Sequence, residues 1–186
     1  MFLVIVLVVL LALVVLIALW VMTSYNGLVK LRNRIEAAWA QIEVQLKRRH
    51  DLVPNLVETV KGYAAHEKDT LDAVISARNS AVDASSGQDL AAAENGLTGA
   101  LRQVFALSEA YPDLKANQNF LQLQNDLSGT EDQIASSRQY YNDTVRQYNT
   151  RIATFPAVIL ARSAGFTERE YFEADDGSRG SVQVSF

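Results

Sequence analysis

The chain has 186 residues, a formal net charge of −4 at pH 7 and no cysteine. The absence of cysteine excludes disulfides, thiolate metal sites, a catalytic thiol and a lipid-modified N-terminal cysteine. The charge balance does not indicate nucleic-acid binding, which needs a basic face, and we expect no nucleic-acid partner. Enough chain follows the apolar N-terminal stretch for one further domain.

Residues 2–22 form an uninterrupted apolar stretch, FLVIVLVVLLALVVLIALWVM, with no charged residue, no Gly and no Pro. A helix of this length spans roughly 31 Å, which matches the ~30 Å hydrocarbon core of a bilayer. The alternative is a cleaved signal peptide. No Lys or Arg precedes the stretch, it is too long, and Ala12 and Ala18 do not form a cleavage site. The sequence therefore predicts a transmembrane anchor over residues 1–22.

Aromatic and basic residues follow one another at the end of this span. Trp and Tyr favour the headgroup level, and Lys and Arg favour the cytoplasmic side. We therefore expect a single-pass protein of the inner (cytoplasmic) cell membrane, with the N-terminus outside and residues 23–186 in the cytoplasm. An exported domain is the alternative, and it leaves three basic residues on the wrong side. The predicted membrane-interface residues are Trp20, Tyr25, Lys30, Arg32 and Arg34.

A helical stripe of apolar residues begins directly after the span. Its members recur every three or four positions, or seven where one position is skipped, which indicates one face of a long helix over about 23–63. The stripe keeps its register through Pro54, so we expect a kinked helix rather than two helices. No strong breaker separates this helix from the membrane helix. The stripe consists of Leu28, Leu31, Ile35, Trp39, Ile42, Leu46, Val53, Leu56, Val60 and Tyr63.

Arg49 occupies the skipped position of the stripe. One interpretation is a side chain that extends along the edge of the seam and keeps its charge in water. The other is a buried partner for a carboxylate on a facing helix, such as Glu131, which would fix the register of the helices. Arg49 is therefore our candidate buried polar residue.

Three further helices are predicted over about 69–83, 89–110 and 113–154, the last starting after Pro112. In the last helix, apolar or aromatic residues fall at every seventh position, which is typical of supercoiled helix packing. These positions are Phe120, Leu127, Ile134, Tyr141, Tyr148 and Phe155.

The predicted fold is all-α. A single N-terminal transmembrane helix continues into a long antiparallel four-helix bundle, with coiled-coil-like packing, that covers residues 23–156. If the first helix instead continues to Val82, the bundle has three helices.

The last segment, residues 157–186, differs in composition from the bundle. Thr167 and Glu170 fit a capping box and predict a short helical turn. The alternation of Val182, Val184 and Phe186 predicts a strand-like end. This end is our candidate interaction site, either with the tail of a neighbouring copy or with a groove on a partner. A frayed terminus is the remaining alternative.

Four stretches together resemble the LemA family: LRNRIEAAWAQIEVQLKRRHDLVPNLVETVKGYAAHE at 31–67, residues 111–149, FP at 155–156 and GF…YFE at 165–173. The resemblance implies a bacterial membrane protein with a helical bundle. It implies no agreed enzymatic activity and supplies no catalytic residues. One branch of the family includes a magnetosome membrane protein, which points to membrane organisation.

The sequence contains no motif typical of a catalytic, cofactor or metal site. His50 and His66 lie about 160° apart around one helix, and there is no phosphate-binding loop or G-x-S-x-G motif. We therefore expect no catalytic residue, cofactor or metal.

Three functions remain open. The first is a non-catalytic scaffold that self-assembles at the membrane; the second is an adaptor or regulator of another membrane protein, such as a protease or sensor; the third is an enzyme. The span has no pair of small residues spaced four apart, so we expect a homo-oligomer to form through the bundle and tail.

Overall fold

The computed structural model describes residues 1–84 and 87–172, and every regular element in those ranges is an α-helix. The all-α class is therefore confirmed. The predicted strand-like end, with Val182, Val184 and Phe186, lies outside the described residues. The helices are α1 (Phe2–Lys61), α2 (Lys68–Asp83), α3 (Gly87–Ser108), α4 (Pro112–Lys115), α5 (Gln118–Ala153) and α6 (Ala157–Ser163).

Helix α1 is an unbroken helix of 60 residues that contains both the apolar stretch and the following stripe. Within the described part of the chain, it is the one helix long and apolar enough to cross a membrane, and none of its most apolar 18-residue window is buried. The helix continues through Pro54 and ends at Lys61. Gly62 follows, and its low helix propensity favours the turn that separates α1 from α2. Of the two predicted end points, the structure therefore has the earlier one.

The contacts divide the chain into two compact units. The first contains Met1–Trp39 and Tyr140–Tyr171, and the second contains Ala40–Gln139 and Phe172. In the first unit, the ring centroids of Trp39 and Tyr141 lie 5.3 Å apart. Its buried side chains come from α1, α5 and α6. They are Ser24, Leu28, Ile35, Ala38, Tyr141, Thr144, Val145, Tyr148, Ile152, Ala157 and Ala161.

The second unit has a hydrophobic core built from five helices. Each fully buried aliphatic side chain contributes roughly 1.5–3 kcal/mol relative to an exposed one, so this core stabilises the unit. Its members are Val53, Leu56, Val57, Val60, Ala64, Leu71, Val74, Ala81, Leu97, Leu101, Val104, Leu114, Phe120 and Leu127.

The predicted helix over 113–154 is wrong as one continuous element, because the chain breaks between α4 and α5. The side-chain Oδ1 of Asn117 accepts a hydrogen bond of 3.0 Å from the backbone N–H of Phe120. This is the geometry of an N-cap, which starts a new helix at Gln118. The sequence prediction missed Asn117 because the apolar periodicity of the helix is stronger than this single-residue signal.

The short helical turn predicted at Thr167–Glu170 is also wrong. The short helix lies earlier, at Ala157–Ser163, and residues 166–172 have no regular structure. Side chains of α5 bind the backbone of this segment, as described below, and these bonds favour an extended path over a helical turn. Phe155, the last of the seventh-residue positions, is 80% exposed because α5 ends at Ala153.

Candidate functional site

Two buried charged residues of opposite sign face each other in the second unit. Arg49 lies on α1 between the buried residues Leu46 and Val53, and it is 1% exposed. Glu94 lies on α3, three positions before the buried Leu97, and it is completely buried. Each charge therefore occupies a position at which the helical stripe places a side chain in the core.

The Arg49 guanidinium bonds to both α3 and α5. Its Nη2 donates to the Glu94 carboxylate and, at 3.3 Å, to the Glu94 backbone oxygen. Its Nη1 donates to Oγ1 of Thr98 at 3.0 Å and to the Glu131 carboxylate. Thr98 Oγ1 in turn donates to Glu131 at 3.3 Å. The structure thus places Arg49 against Glu131, the carboxylate singled out in the sequence, and its role in helix register stays a prediction.

His50 completes the coordination of Glu94. Its Nε2 lies 2.8 Å from Oε1 of Glu94, while Arg49 binds Oε2. An ionised carboxylate only accepts hydrogen bonds, so this contact places a proton on Nε2 of His50. The backbone oxygen of His50 accepts a bond of 3.4 Å from Nε of Arg78 on α2. The cluster therefore joins α1, α3 and α5 through side chains and reaches α2 through one backbone group.

The cluster keeps Glu94 ionised. Burial alone opposes the charge, but the hydrogen bonds from His50 and Arg49 and the positive charge of Arg49 outweigh it, so the pKa of Glu94 lies below its usual value. A second arginine lies near the cluster. Burial, and then the nearby charge of Arg49, lower the pKa of Arg138, whose guanidinium carbon lies 4.4 Å from the ring centroid of Phe172.

This arrangement favours a structural role over a chemical one. Both oxygens of Glu94 and the terminal nitrogens of Arg49 are already bonded to protein groups. Glu131 is half-exposed and lines an open cleft of about 230 Å³ beside α3 and α5, in which it is the single carboxylate. Over residues 1–84 and 87–172, no group of three or more His, Asp or Glu side chains is placed to hold a metal ion. His66 is exposed and lies beyond the end of α1.

The predicted membrane-interface residues all lie on α1 in the first unit, and their side chains are exposed. The ring of Tyr25 contacts Phe166 at a centroid distance of 5.7 Å. The Arg32 guanidinium lies 5.9 Å from the centroid of the same ring. Phe166 therefore contacts one aromatic and one basic residue of α1 just beyond the apolar stretch. The membrane role of the five side chains stays a prediction.

The segment after α6, residues 165–171, lies along α5 in the first unit. Gly165 has a φ of +73°, a left-handed conformation that glycine adopts without strain, and it turns the chain out of α6. The Asn149 side chain both accepts from the backbone N–H of Arg169 (2.9 Å) and donates to its carbonyl oxygen (2.8 Å). Tyr141 donates to the carbonyl oxygen of Glu170 at 3.0 Å. We call residues 165–171 the C-terminal strap.

The sequence patterns did not predict a role for Glu94 or for the strap. Glu94 lies three residues before Leu97 and seven before Leu101, so the helical stripe of α3 itself marks Glu94 as a core position. The strap has no periodic pattern. The one feature of the sequence that marks the strap is the GF…YFE stretch, which contributes to the family resemblance.

The fold and the cluster define a class of helical protein with one long N-terminal apolar helix and a buried Arg–Glu–His centre joining its helices. The LemA family matches residues 38–186, which is most of the chain. The chain belongs to the LemA family, as its sequence stretches predicted.

Individual relatives agree with this assignment. The chain is 30% identical over 164 residues to protein LemA of Metamycoplasma hominis, an alignment that covers 86% of this chain and 74% of that protein. It is 27% identical over 174 residues to magnetosome protein MamQ of Magnetospirillum gryphiswaldense and over 175 residues to MamQ 1 of Paramagnetospirillum magneticum. Both alignments cover 80% of this chain but 64% of the MamQ proteins, so the chain spans less than two thirds of their length.

Proposed function

We propose that this protein is a non-catalytic scaffold, anchored in the cell membrane by residues 1–22, whose helical part self-associates at the cytoplasmic face. The observation that carries the proposal is the continuity of α1. One helix holds an apolar stretch with every side chain exposed and then, from Leu28, a stripe that is buried in the protein. Such a helix connects the membrane anchor to the folded part without a flexible linker.

The distribution of charge supports the cytoplasmic orientation. The first unit has seven Lys or Arg against four Asp or Glu, whereas residues 40–139 and 172–186 together have ten against seventeen. The excess of basic residues thus occurs in the unit that contains the span. Basic residues next to a span favour the cytoplasmic side.

The pattern of burial supports the proposed antiparallel four-helix bundle. On α5 the seventh-residue positions Phe120, Leu127, Ile134, Tyr141 and Tyr148 are all buried. This is the pattern that supercoiled helix packing produces. Within the first unit, an antiparallel course of α1 and α5 is supported by two sets of ring contacts: Trp39 contacts Tyr141, and Phe166 contacts both Tyr25 and Tyr148.

Self-association is supported by apolar side chains that the folded part leaves exposed and by the predicted tail. Single exposed apolar residues are common on soluble proteins, so these residues support an interaction surface only where several of them adjoin. In the second unit they include Val44, Ile75, Val82 and Leu121. The similarity to magnetosome proteins supports a role in membrane organisation.

Light scattering of the full chain in detergent tests the assembly. We expect particles with several copies, and a variant in which Val182, Val184 and Phe186 are replaced by Ser should give smaller particles. The matched control replaces Gln183 and Ser185, which alternate with the first set, and should keep the original size. A mass of one chain contradicts self-association, and an unchanged mass in the triple variant contradicts the role of the tail.

The second candidate function is an adaptor for another membrane protein, and the same exposed apolar residues favour it. A photo-crosslinking residue at Val44, which is 64% exposed on α1, distinguishes the two in intact cells. Crosslinks between copies of this chain support the scaffold. A single heterologous membrane protein in the crosslinked product, without self-crosslinks, supports the adaptor.

A further inference from the structure

The folded part of the first unit begins immediately after the apolar stretch. Every side chain from Met1 to Thr23 is exposed, and Ser24, which is 3% exposed, is the first buried one. It is followed by the completely buried Leu28. Because Ser24 comes two residues after Met22, the groups that cover it lie about 3 Å beyond the end of the apolar stretch along the helix axis. No spacer therefore separates this unit from the predicted membrane surface.

The aromatic contacts fix which part of α5 lies at that level. Phe155 follows Tyr141 by 14 residues, and Tyr25 precedes Trp39 by 14 residues. Since Trp39 and Tyr141 are in contact and the two helices run antiparallel, both residues lie about 21 Å from this contact in the same direction. Helical bonding on α5 continues to Thr154, whose N–H donates to the Thr150 oxygen at 3.0 Å. An ideal helical rise along straight axes thus places Phe155 at about the level of Tyr25, just beyond the apolar stretch.

The corner between α5 and α6 exposes large apolar side chains at this level. Phe155 is 80% exposed and Ile159 is 63% exposed. On the other face of α6, Ala157 and Ala161 are buried against the protein. The short helix is therefore packed through its small residues and presents Ile159 outward. Two exposed basic residues flank the corner, Arg151 and Arg162.

We propose that the corner formed by residues 154–162 inserts into the membrane interface beside α1, as a second contact with the same leaflet. Its occupant is the lipid bilayer. Phe155 and Ile159 enter the boundary between headgroups and acyl chains, and Arg151 and Arg162 lie at the level of the lipid phosphates. This inference rests on the proposed function only in taking residues 2–22 as the membrane span.

Continuity with the span favours lipid over a second copy of the chain or another protein. The corner lies at the level of Tyr25, where the exposed surface of α1 is the predicted aromatic and basic belt. An exposed aromatic and an aliphatic side chain between arginines also match the composition of segments that lie in a bilayer interface. Two contacts at different positions around one span restrict its tilt, so the corner orients the first unit on the membrane.

Single-cysteine spin labelling of the full chain tests the proposal, because the chain has no cysteine to remove. The variants are Leu13→Cys within the span, Phe155→Cys and Ile159→Cys in the corner, and Val44→Cys as an exposed apolar control further along α1. The protein is reconstituted in phosphatidylcholine vesicles with about a quarter phosphatidylglycerol. Power saturation with oxygen and with a water-soluble nickel complex then reports the depth of each label.

We expect a high ratio of oxygen to nickel collisions at position 13 and a low, aqueous ratio at position 44. At positions 155 and 159 we expect a ratio several-fold above that at position 44. A lipid-like label at 13 with aqueous labels at 155 and 159 overturns the inference and leaves the proposed anchor intact. An aqueous label at 13 contradicts the anchor itself, and the inference with it. All four sites are exposed, so the substitutions leave the packed core unchanged, and circular dichroism confirms helical content.

Discussion

Arg49 and Glu94 form an ion pair in which the side chains are 1% and 0% exposed. Removing two charges from water costs several kcal/mol per ion, and only close pairing with further hydrogen bonds offsets this cost. Here the carboxylate also bonds His50 and the guanidinium also bonds Glu131 and Thr98. The stability of the second unit therefore depends on keeping this set of partners complete.

Replacing Glu94 alone should strongly destabilise the protein. Glu94→Gln keeps the shape but leaves the buried charge of Arg49 with Glu131 as its single carboxylate partner. We expect a loss of about 3–5 kcal/mol in the free energy of unfolding, the range for breaking one partner of a buried pair. Guanidinium unfolding of the full chain in detergent, followed by circular dichroism, measures it. The matched control is Glu58→Gln on α1, which removes an exposed pair with Lys61 and should have no measurable effect. Equal effects in both variants contradict the account.

Arg49→Met and Arg49→Ala should each destabilise the protein, because Glu94 is then buried without its cation. Adding Glu94→Leu to Arg49→Met should recover most of the lost stability, since a well-packed apolar pair has no charge to desolvate. A double-mutant cycle measures the coupling. Additive losses indicate that the two residues act independently. If Arg49→Met and Arg49→Ala leave both the melting temperature and the helix register unchanged, the register hypothesis fails.

The cluster also predicts a pH dependence at the acidic end. The pKa of Glu94 is lower in the folded protein than its ordinary value of 4.5, so the unfolded chain binds the proton more readily. Its contribution to stability is complete above pH 4.5 and is lost as the pH falls through the lowered pKa. We expect the free energy of unfolding to fall less steeply with decreasing pH below 4.5 in Glu94→Gln than in the wild type. Parallel curves for the two proteins contradict this assignment.

The helical class and the long first helix follow directly from the sequence, because an apolar stretch and an apolar stripe are signals that many residues repeat. Single-residue signals were harder to interpret. Asn117, which caps α5, lies within a longer apolar periodicity that predicts a continuous helix, and Glu94 is a charged residue in the apolar stripe of α3. Arg49 stood out because it interrupts ten apolar positions, and the structure places it in contact with Glu131.

The strap shows why part of the structure was not predictable. Thr167 and Glu170 satisfy a local helix signal, yet Asn149 and Tyr141, which lie at least 18 residues earlier, bind the backbone of this segment. Tertiary hydrogen bonds decide the conformation there, and no local pattern reports them. Phe155 has the seventh-residue spacing of a core position but lies beyond the end of α5, so its periodicity predicts burial that does not occur.

The strap should detach from α5 when the side-chain amide of Asn149 is removed. Asn149→Ala deletes both bonds to the Arg169 backbone and leaves the Tyr141 bond to the Glu170 carbonyl oxygen in place. We expect faster hydrogen–deuterium exchange over residues 166–171, while α5 keeps its protection. The control is Gln147→Ala, an exposed neighbour on the same helix, which should leave exchange unchanged. Unaltered exchange in Asn149→Ala contradicts a role of the Asn149 side chain in holding the strap.

Electron cryomicroscopy of the intact protein in vesicles derived from its own membrane tests the central proposal most directly. We predict several copies per particle, each with one helix crossing the bilayer. All helical density beyond the span should lie on the cytoplasmic side and begin directly at the membrane surface. Isolated single copies contradict the self-associating scaffold. Helical density on the outer side, or no density crossing the bilayer, contradicts the cytoplasmic anchor.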